Sequence, residues 1–525
     1  MADAWWRGAV IYQIYPRSFR DANGDGIGDL GGIAEALPYV ASLGVDAVWL
    51  SPFYRSPMMD FGYDVADHRD VDPLFGTLAD AKRVIGRAHD LGMKVLLDMV
   101  WGHTSDRHPW FAESRASRAN AKSDWYVWAD PKPDGTPPNN WLSVFGGPAW
   151  TWEPRRRQYR LHHFLPSQPA LNWRNPAVVE ALAAVGEHWL SLGADGLRLD
   201  AVDFLIHDLR LRDNPPQRLA EIPPRPFGMQ DHRRDMMQPE TADALARIRA
   251  LTDRFPGTVT MAELSSAGDP LARVAEYCAP GGLHLAYSLG LMRRPASAAA
   301  LKATIAEIEA KAPGGAFAWA LSNHDVERAA SRWGDGSPAS AKMLLALLLC
   351  LRGTVCLYQG DELGLPEAEV PFDRRRDPFG LAFWPEFKGR DGCRTPMPWR
   401  GDGPAAGFSA AEPWLPVPES HRRLAVAVQE ADGESVLNTL RRLIRWRRRH
   451  PALTEGGLTL VEMSPDIVAF ERTGGGQDIL CLFNPSAAHH RLTPPPGRKP
   501  AEGVGYRIVG GELMLEPWGA VFLVP

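Results

Sequence analysis

The sequence has no long apolar run, little cysteine and almost no net charge, and each shortage closes off a class of function. No stretch approaches the roughly 20 apolar residues that carry a helix across a bilayer, so a membrane-spanning role is not expected. Five cysteines (Cys278, Cys350, Cys356, Cys393 and Cys481) lie scattered without metal-ligand spacing, and an odd number does not build a disulfide framework. The start, MADAWWRGAVIYQIYP, lacks the basic cluster, apolar stretch and small-residue cleavage site of a secretory leader. A reducing, cytoplasmic protein is the expectation. The formal net charge is −5, from 58 Lys and Arg against 63 Asp and Glu mixed along the chain, which leaves no footprint for nucleic acid or an anionic membrane. A small, neutral, polar ligand fits better, and oligomeric state carries no signal in a single chain.

Core-forming material is plentiful. The chain has 525 residues, 45% of them hydrophobic, which at roughly 150 residues per domain suggests two or three domains. Eight short β-rich runs recur: VIYQIYP from Val10, VDAVWLSP from Val45, KVLLDMV from Lys94, GLRLD from Gly196, TVTMAEL from Thr258, HLAYSL from His284, FAWALSNHD from Phe317 and TVCLYQGDE from Thr354. They are mostly apolar and separated by helix-forming segments, the pattern of parallel strands buried on both faces. Eight such units predict an α/β fold, a closed (β/α)8 TIM barrel, over an open doubly wound sheet.

Two interruptions break the rhythm. Residues 102–173, rich in Trp, Pro and Gly, read as a small inserted domain after the third strand, which divides the barrel into 1–101 and 174–450. The stretch DNPPQRLAEIPPRPFGMQDHRRD, from Asp213, is too polar and proline-rich for core and reads as an active-site loop. Further on, Val436, Leu440, Leu443 and Ile444 fall at helical spacing, so the arginine run of RRLIRWRRRH is expected on a solvated helix face. After it, alternating runs between Gly-rich turns predict a C-terminal antiparallel β-sandwich over 451–525.

Chemistry concentrates at the strand ends. Residues two apart on a strand share a face, so Arg198 and Asp200 of GLRLD point together, and in a parallel barrel the carboxyl end of a strand faces the active site. A guanidinium beside Asp200 favours the ionised carboxylate that a nucleophile needs. Glu263 ends the next strand, and SNHDVE supplies His324 and Asp325. Crowded carboxylates raise at least one pKa, so a glutamate near two aspartates can keep its proton and act as general acid. That division of labour is what retaining glycoside hydrolysis requires. His103, closing DMVWGH, can donate to a sugar hydroxyl.

The segments DMVWGH, GLRLDAVDF, MAEL and LSNHD, in this order, resemble those of the α-amylase family, glycoside hydrolase family thirteen. VIYQIYPRSFRDANGDGIGDL, GVDAVWLSP, YDVADH, YQGDELGL and GRDGCRTPMPW are similar to its oligo-1,6-glucosidase and α-glucosidase branch. The resemblance covers nearly the whole chain. It implies Asp200 as nucleophile, Glu263 as acid/base and Asp325 as the holder of the 2- and 3-hydroxyls, with Arg198, His103 and His324 in the same subsite. Tyr63 matches the family's sugar-stacking aromatic. Asp64 and Arg394 resemble the pair that closes the pocket of exo-acting members, and Phe145 and Phe164 resemble aromatics of that pocket. Gly102 stands where many members have Asn, so no second metal is expected beside it. Ala170 of QPALNW replaces an aspartate, and its contacts are lost here. Ala201, after the nucleophile, goes in this branch with α-1,4 preference, where valine goes with α-1,6.

The loop DANGDGIGDL puts Asp21, Asn23, Asp25, the carbonyl of Ile27 and Asp29 at alternate positions of an EF-hand-like pattern. The twelfth position is Gly32, not the bidentate glutamate, and a strand precedes the loop, so a calcium switch is not expected. The resemblance implies a fixed structural Ca²⁺, with Mg²⁺ as the alternative. The expected activity is a retaining α-glucosidase acting on maltose-like oligosaccharides or other small glucosides, with transglucosylation as a second outcome. An oligo-1,6-glucosidase, a sucrose- or trehalose-forming isomerase, and a non-catalytic carbohydrate-binding or transporter-associated protein stay open as alternatives.

Overall fold

The computed structural model describes residues 4–525; residues 1–3, the start of the segment on which the leader expectation rests, lie outside them. Eight parallel strands form the barrel: β1 Val10–Ile14, β2 Ala47–Leu50, β3 Lys94–Met99, β4 Gly196–Leu199, β5 Val259–Leu264, β6 Leu285–Ser288, β7 Ala318–Ala320 and β8 Thr354–Tyr358. Their order is β6-β5-β4-β3-β2-β1-β8-β7. A single parallel bridge, Ala286 to Phe317, brings β6 to β7 and nearly closes the ring. All eight sit in the β-rich runs read from the sequence.

The two-residue strand period sorts side chains between two cores. Ile11, Ala47, Trp49, Leu96, Val259, Met261, Leu285 and Cys356 fill the barrel interior. The alternate residues, such as Val10, Val48, Val95 and Leu197, pack outward under the helices. Gly196 is a glycine for steric reasons, since a Cβ there would lie 2.6 Å from Val259 Cγ1 and 2.9 Å from Leu96 Cγ. The interior is thus a packed plug, and the chemistry has to sit above it.

Between β3 and β4 the chain forms the helix Pro109–Ala116 and a three-stranded antiparallel sheet of Trp128–Ala129, Gln158–Leu161 and Trp150–Glu153. Between β4 and the helix Thr241–Thr252 runs the long loop with only short 3₁₀ turns, one of them Pro226–Met229. At the C-terminus, β9 Gly457–Leu460, β10 Val468–Gly474, β11 Gln477–Phe483, β12 His490–Leu492, β13 Lys499–Val509 and β14 Glu512–Val524 form one connected antiparallel sheet. The thirteen-residue β14 pairs with β12 through Leu513–Leu515 and with β11 through Ala520–Leu523. Ile467, Ala469, Leu480, Leu482, Leu513 and Leu515 form a core on one face. Val468, Phe470, Cys481 and Phe522 of the other face join the barrel's outer core. The expected C-terminal antiparallel domain is thus present, its strands connected through one long strand that serves both halves.

The helix Val436–Arg448 buries Val436, Leu440, Leu443 and Ile444, as its spacing predicts, and Leu437 beside them. Arg445, Arg448 and Arg449 of its arginine run are exposed, but one member departs from the solvated face expected for it. Arg447 is buried and donates to the carbonyls of Leu349, Gly8 and Gly353, satisfying chain ends at the barrel's edge. The period placed it one turn from Ile444, on the buried stripe, and its charge concealed that. Arg447→Ala strands three buried carbonyls and is expected to destabilise the protein by about 3 kcal/mol. The check is the urea unfolding midpoint, with the exposed Arg445→Ala leaving that midpoint in place as the control.

Candidate active site

Above the interior plug, β4 carries Arg198 inward, and its fully buried guanidinium organises the strand ends around it. One nitrogen, Nη1, donates to Asp98 Oδ1 and Asp200 Oδ1, each at 2.7 Å. The other, Nη2, pairs with Glu263 Oε2 and donates to the Tyr287 hydroxyl at 2.7 Å. Tyr287 in turn donates to Glu263 at 2.6 Å. Asp98, which the sequence reading passed over, also accepts from Tyr63 Oη at 3.0 Å and Trp49 Nε1 at 3.1 Å. An aspartate inside an apolar parallel strand was its signal, because a buried carboxylate needs partners.

Right after Asp200 the backbone turns left-handed at Ala201, φ 44° and ψ 46°. An alanine in this region costs about 1 kcal/mol or more, and it ends the strand so that Asp200 points into the cavity. Burial pushes Asp200 up to about 7 against the pull of Arg198, with Asp98 adding to the rise. Burial also pushes Glu263 up to about 7, with Arg198 opposing and Asp200 and Asp325 adding. Asp98 rises to about 6, again through burial. One positive charge faces three carboxylates, so the group as a whole keeps a proton to higher pH than free carboxylates would.

Asp325, after β7, is treated oppositely. Burial works against its charge, but His324 and the guanidiniums of Arg390 and Arg394 outweigh burial and hold it well below the usual carboxylate range. His324 is itself kept neutral by burial, down to about 3, so the two guanidiniums carry that effect. Arg394 Nη2 lies 2.8 Å and Arg390 Nη1 3.2 Å from Asp325 Oδ1. The ring of His324 stacks at 5.1 Å and 7° on Tyr63, and its Nδ1 meets Gln13 Nε2 at 2.8 Å. Burial likewise lowers His103, whose Nε2 lies 2.8 Å from the Tyr63 carbonyl.

These groups open into a cavity of about 150 Å³. Tyr63, His103, Phe145, Phe164, Asp200, Glu263 and Asp325 line it. Arg198 and His324 stand behind that wall and act through the residues that face the cavity. The pocket-closing pair is corrected by the structure. Asp64 is buried, with burial raising it to about 6, and its oxygens accept from Ser56, Met59 and Asp60. Arg394 binds Asp325 and the His324 carbonyl. The pair inside the cavity is Asp60 and Arg390, at 2.8 Å, with Arg390 also 2.7 Å from Asp377. Each lies four residues before the expected partner, on irregular chain where no periodicity tells which acid or base faces inward. Gln168 fixes the pair by donating to Asp60 Oδ2 at 3.1 Å. Phe204, Arg225, Phe227, Arg293 and Phe379 are also in the lining, Arg225 and Phe227 on the stretch expected to be an active-site loop.

The expected metal residues accept hydrogen bonds chiefly from their own loop. Asp21 accepts from the amides of Gly24 and Gly26 and from Ser409, Asn23 from the amide of Asp25, and Asp25 from that of Ile27. Asp29 caps the helix Leu30–Leu43 through Gly32 and accepts from the amides of Ala22 and Asn23. Among the described residues no three His, Cys, Asp or Glu side chains converge to hold a metal. The donors are nonetheless all hard oxygens, the chemistry that suits Ca²⁺ or Mg²⁺.

Comparison with known proteins places this geometry. Residues 13–456 match the family model for the α-amylase catalytic domain. The chain is 51% identical to a probable α-glucosidase of Rhizobium meliloti, covering 99% of this chain and 96% of that one. It is 37% identical to an oligo-1,6-glucosidase of Parageobacillus thermoglucosidasius, covering 92% and 91%. Among solved structures it is similar to an α-glucosyl transfer enzyme at 51% identity and a TM-score of 0.95, with 99% of both chains covered.

The electrostatics of the Arg198 cluster predict a bell-shaped pH–rate profile. With both limbs near 7, activity is lost on the acid side as the cluster takes up a second proton and on the alkaline side as it loses its last. Asp98 raises Asp200, so removing its charge in Asp98→Asn is expected to move the acid limb to lower pH. Profiles of kcat/KM for both proteins check this, and an unmoved acid limb refutes it.

Proposed function

The chain belongs to the α-amylase family and is a glycoside hydrolase of its α-glucosidase and oligo-1,6-glucosidase group, and from this we propose that it is a retaining, exo-acting α-glucosidase releasing terminal α-glucose from short α-glucosides. The observation that carries the reading is the shared guanidinium of Arg198. It binds Asp200 and Glu263 at once, which favours the close carboxylate spacing of about 5 Å used for retention over the roughly 6.5–9.5 Å that inversion needs.

In this reading Glu263 protonates the glycosidic oxygen as Asp200 attacks C1, so the C1–oxygen bond breaks and a glucosyl–aspartate ester forms. Asp325, held ionised, grips the ring hydroxyls as the ring flattens, and Tyr63 offers its face to the apolar side of the sugar. Glu263, now ionised, takes a proton from the incoming water or sugar hydroxyl, whose oxygen attacks C1 and frees Asp200. The Asp60–Arg390 pair, held by Gln168, stands in the cavity wall, which supports single-residue removal. Phe145, Phe164, Phe204, Phe227 and Phe379 give the cavity an apolar wall, which supports competition by sugar or alcohol acceptors against water. Ala201 carries the lean toward α-1,4 bonds.

Product analysis by NMR on maltose, isomaltose and sucrose tests the reading. Initial α-glucose from maltose is expected, while β-glucose would end the retaining mechanism and turnover of isomaltose alone would end the linkage preference. Asp200→Asn is expected to cut kcat by about 10⁴-fold or more, as loss of a nucleophile does. We also propose that Asp21, Asn23, Asp25, Asp29 and the Ile27 carbonyl hold a structural Ca²⁺ that enters no chemical step. Adding Ca²⁺ after chelation is then expected to raise the melting temperature, and an unchanged melt would leave the loop as one closed by its own amides.

A further inference from the structure

Four arginines touch or line the cavity wall with known partners or none. Arg390 and Arg394 are spent on carboxylates. Arg225 and Arg293, both in the lining, form no ion pair among the described residues. Arg293 has one long contact, 3.3 Å to Ser266 Oγ. The Arg225 guanidinium lies over the rings of Phe379 and Phe387, at 5.0 and 4.8 Å from their centroids.

Arg225 is also unusually fixed for a half-buried charge. Pro224 and Pro226 flank it in PPRPF and set the backbone, while the two rings clamp the side chain. A guanidinium that only confers solubility gains nothing from such restraint, whereas one that recognises a ligand has its ordering cost met in advance. The two cations also oppose each other: burial, with Arg293 nearby, pulls Arg225 down to about 10. An anion between them relieves that repulsion, and guanidinium geometry suits a carboxylate or phosphate.

In the proposed glucosidase the glucose unit sits against Asp200, Glu263, Asp325 and the Asp60–Arg390 pair, which leaves the loops carrying Arg225 and Arg293, after β4 and β6, to meet the other half of a substrate. We propose that Arg225 and Arg293 form an anion-recognition site on the aglycone side, selecting leaving groups and acceptors that carry a carboxylate or phosphate. The site rests on the reading of this cavity as an α-glucoside pocket and adds the class of aglycone to it.

Four substrates separate the possibilities: p-nitrophenyl, 4-carbamoylphenyl, 4-carboxyphenyl and 4-(phosphonooxy)phenyl α-glucoside. The wild-type enzyme is expected to favour one or both anionic glucosides over the carbamoyl isostere by roughly tenfold in kcat/KM, mainly through KM. Whichever anion gains more identifies the group recognised. Arg225→Gln and Arg293→Gln are each expected to lower that ratio at least several-fold, Arg225→Lys to restore part of it, and added salt to weaken it. A ratio near one in the wild type, or one unchanged in both glutamine variants, overturns the anion site while turnover of p-nitrophenyl glucoside keeps the glucosidase reading. No turnover of any of the four overturns both.

Discussion

One buried guanidinium sets the terms for the rest of this structure. Arg198 has no solvent and faces Asp98, Asp200 and Glu263 together. Taking such a charge out of water is costly unless its donors are met, and breaking one partner of a buried pair costs several kcal/mol. The barrel meets the requirement by bringing β3, β4 and β5 side by side with their inward residues level, Asp98 opposite Arg198 in the β3–β4 register. The same placement crowds negative charge beyond what one cation neutralises. A shared proton follows, and with it an acid and a base in one site.

The rim decides what the cluster can act on. Asp60 and Arg390 come from segments far apart in the chain, and Asp377 and Gln168 lock them. Asp325 is drawn into that second cationic centre and not into the first. Two guanidinium-centred networks thus divide the carboxylates into a group that keeps a proton and a residue that keeps its charge. Loops with little regular structure supply nearly all of the second network, because β7 and β8 end before it begins.

The strand pattern was legible because burial on both faces of a parallel strand leaves an apolar run, and each of the eight runs holds a strand. Arg198, Asp200, Glu263 and Asp325 were legible because they sit on or just after strands, where the two-residue period assigns a face. Asp64 and Arg394 misled for the opposite reason: on the irregular chain around GYD and GRDGCRT, neighbouring acids and bases compete for the inward position with no period to rank them. Arg447 misled because composition suggested solvent while helical spacing placed it inside. Its three carbonyl partners come from Gly8, Leu349 and Gly353, which no local pattern connects.

By itself, then, the sequence determined the parallel barrel, the strand-end carboxylates and the kind of chemistry they support, since these follow from short-range periodicity and from residue types that carry acid and base functions. The tertiary structure decided which of two aspartates and two arginines line the cavity, that Asp98 and Tyr287 belong to the Arg198 cluster, and that Arg225 and Arg293 face the cavity without an ion pair among the described residues. These depend on distances between segments up to hundreds of residues apart. Charge balance in a buried site is a property of everything within a few ångströms, and only the folded chain defines that neighbourhood.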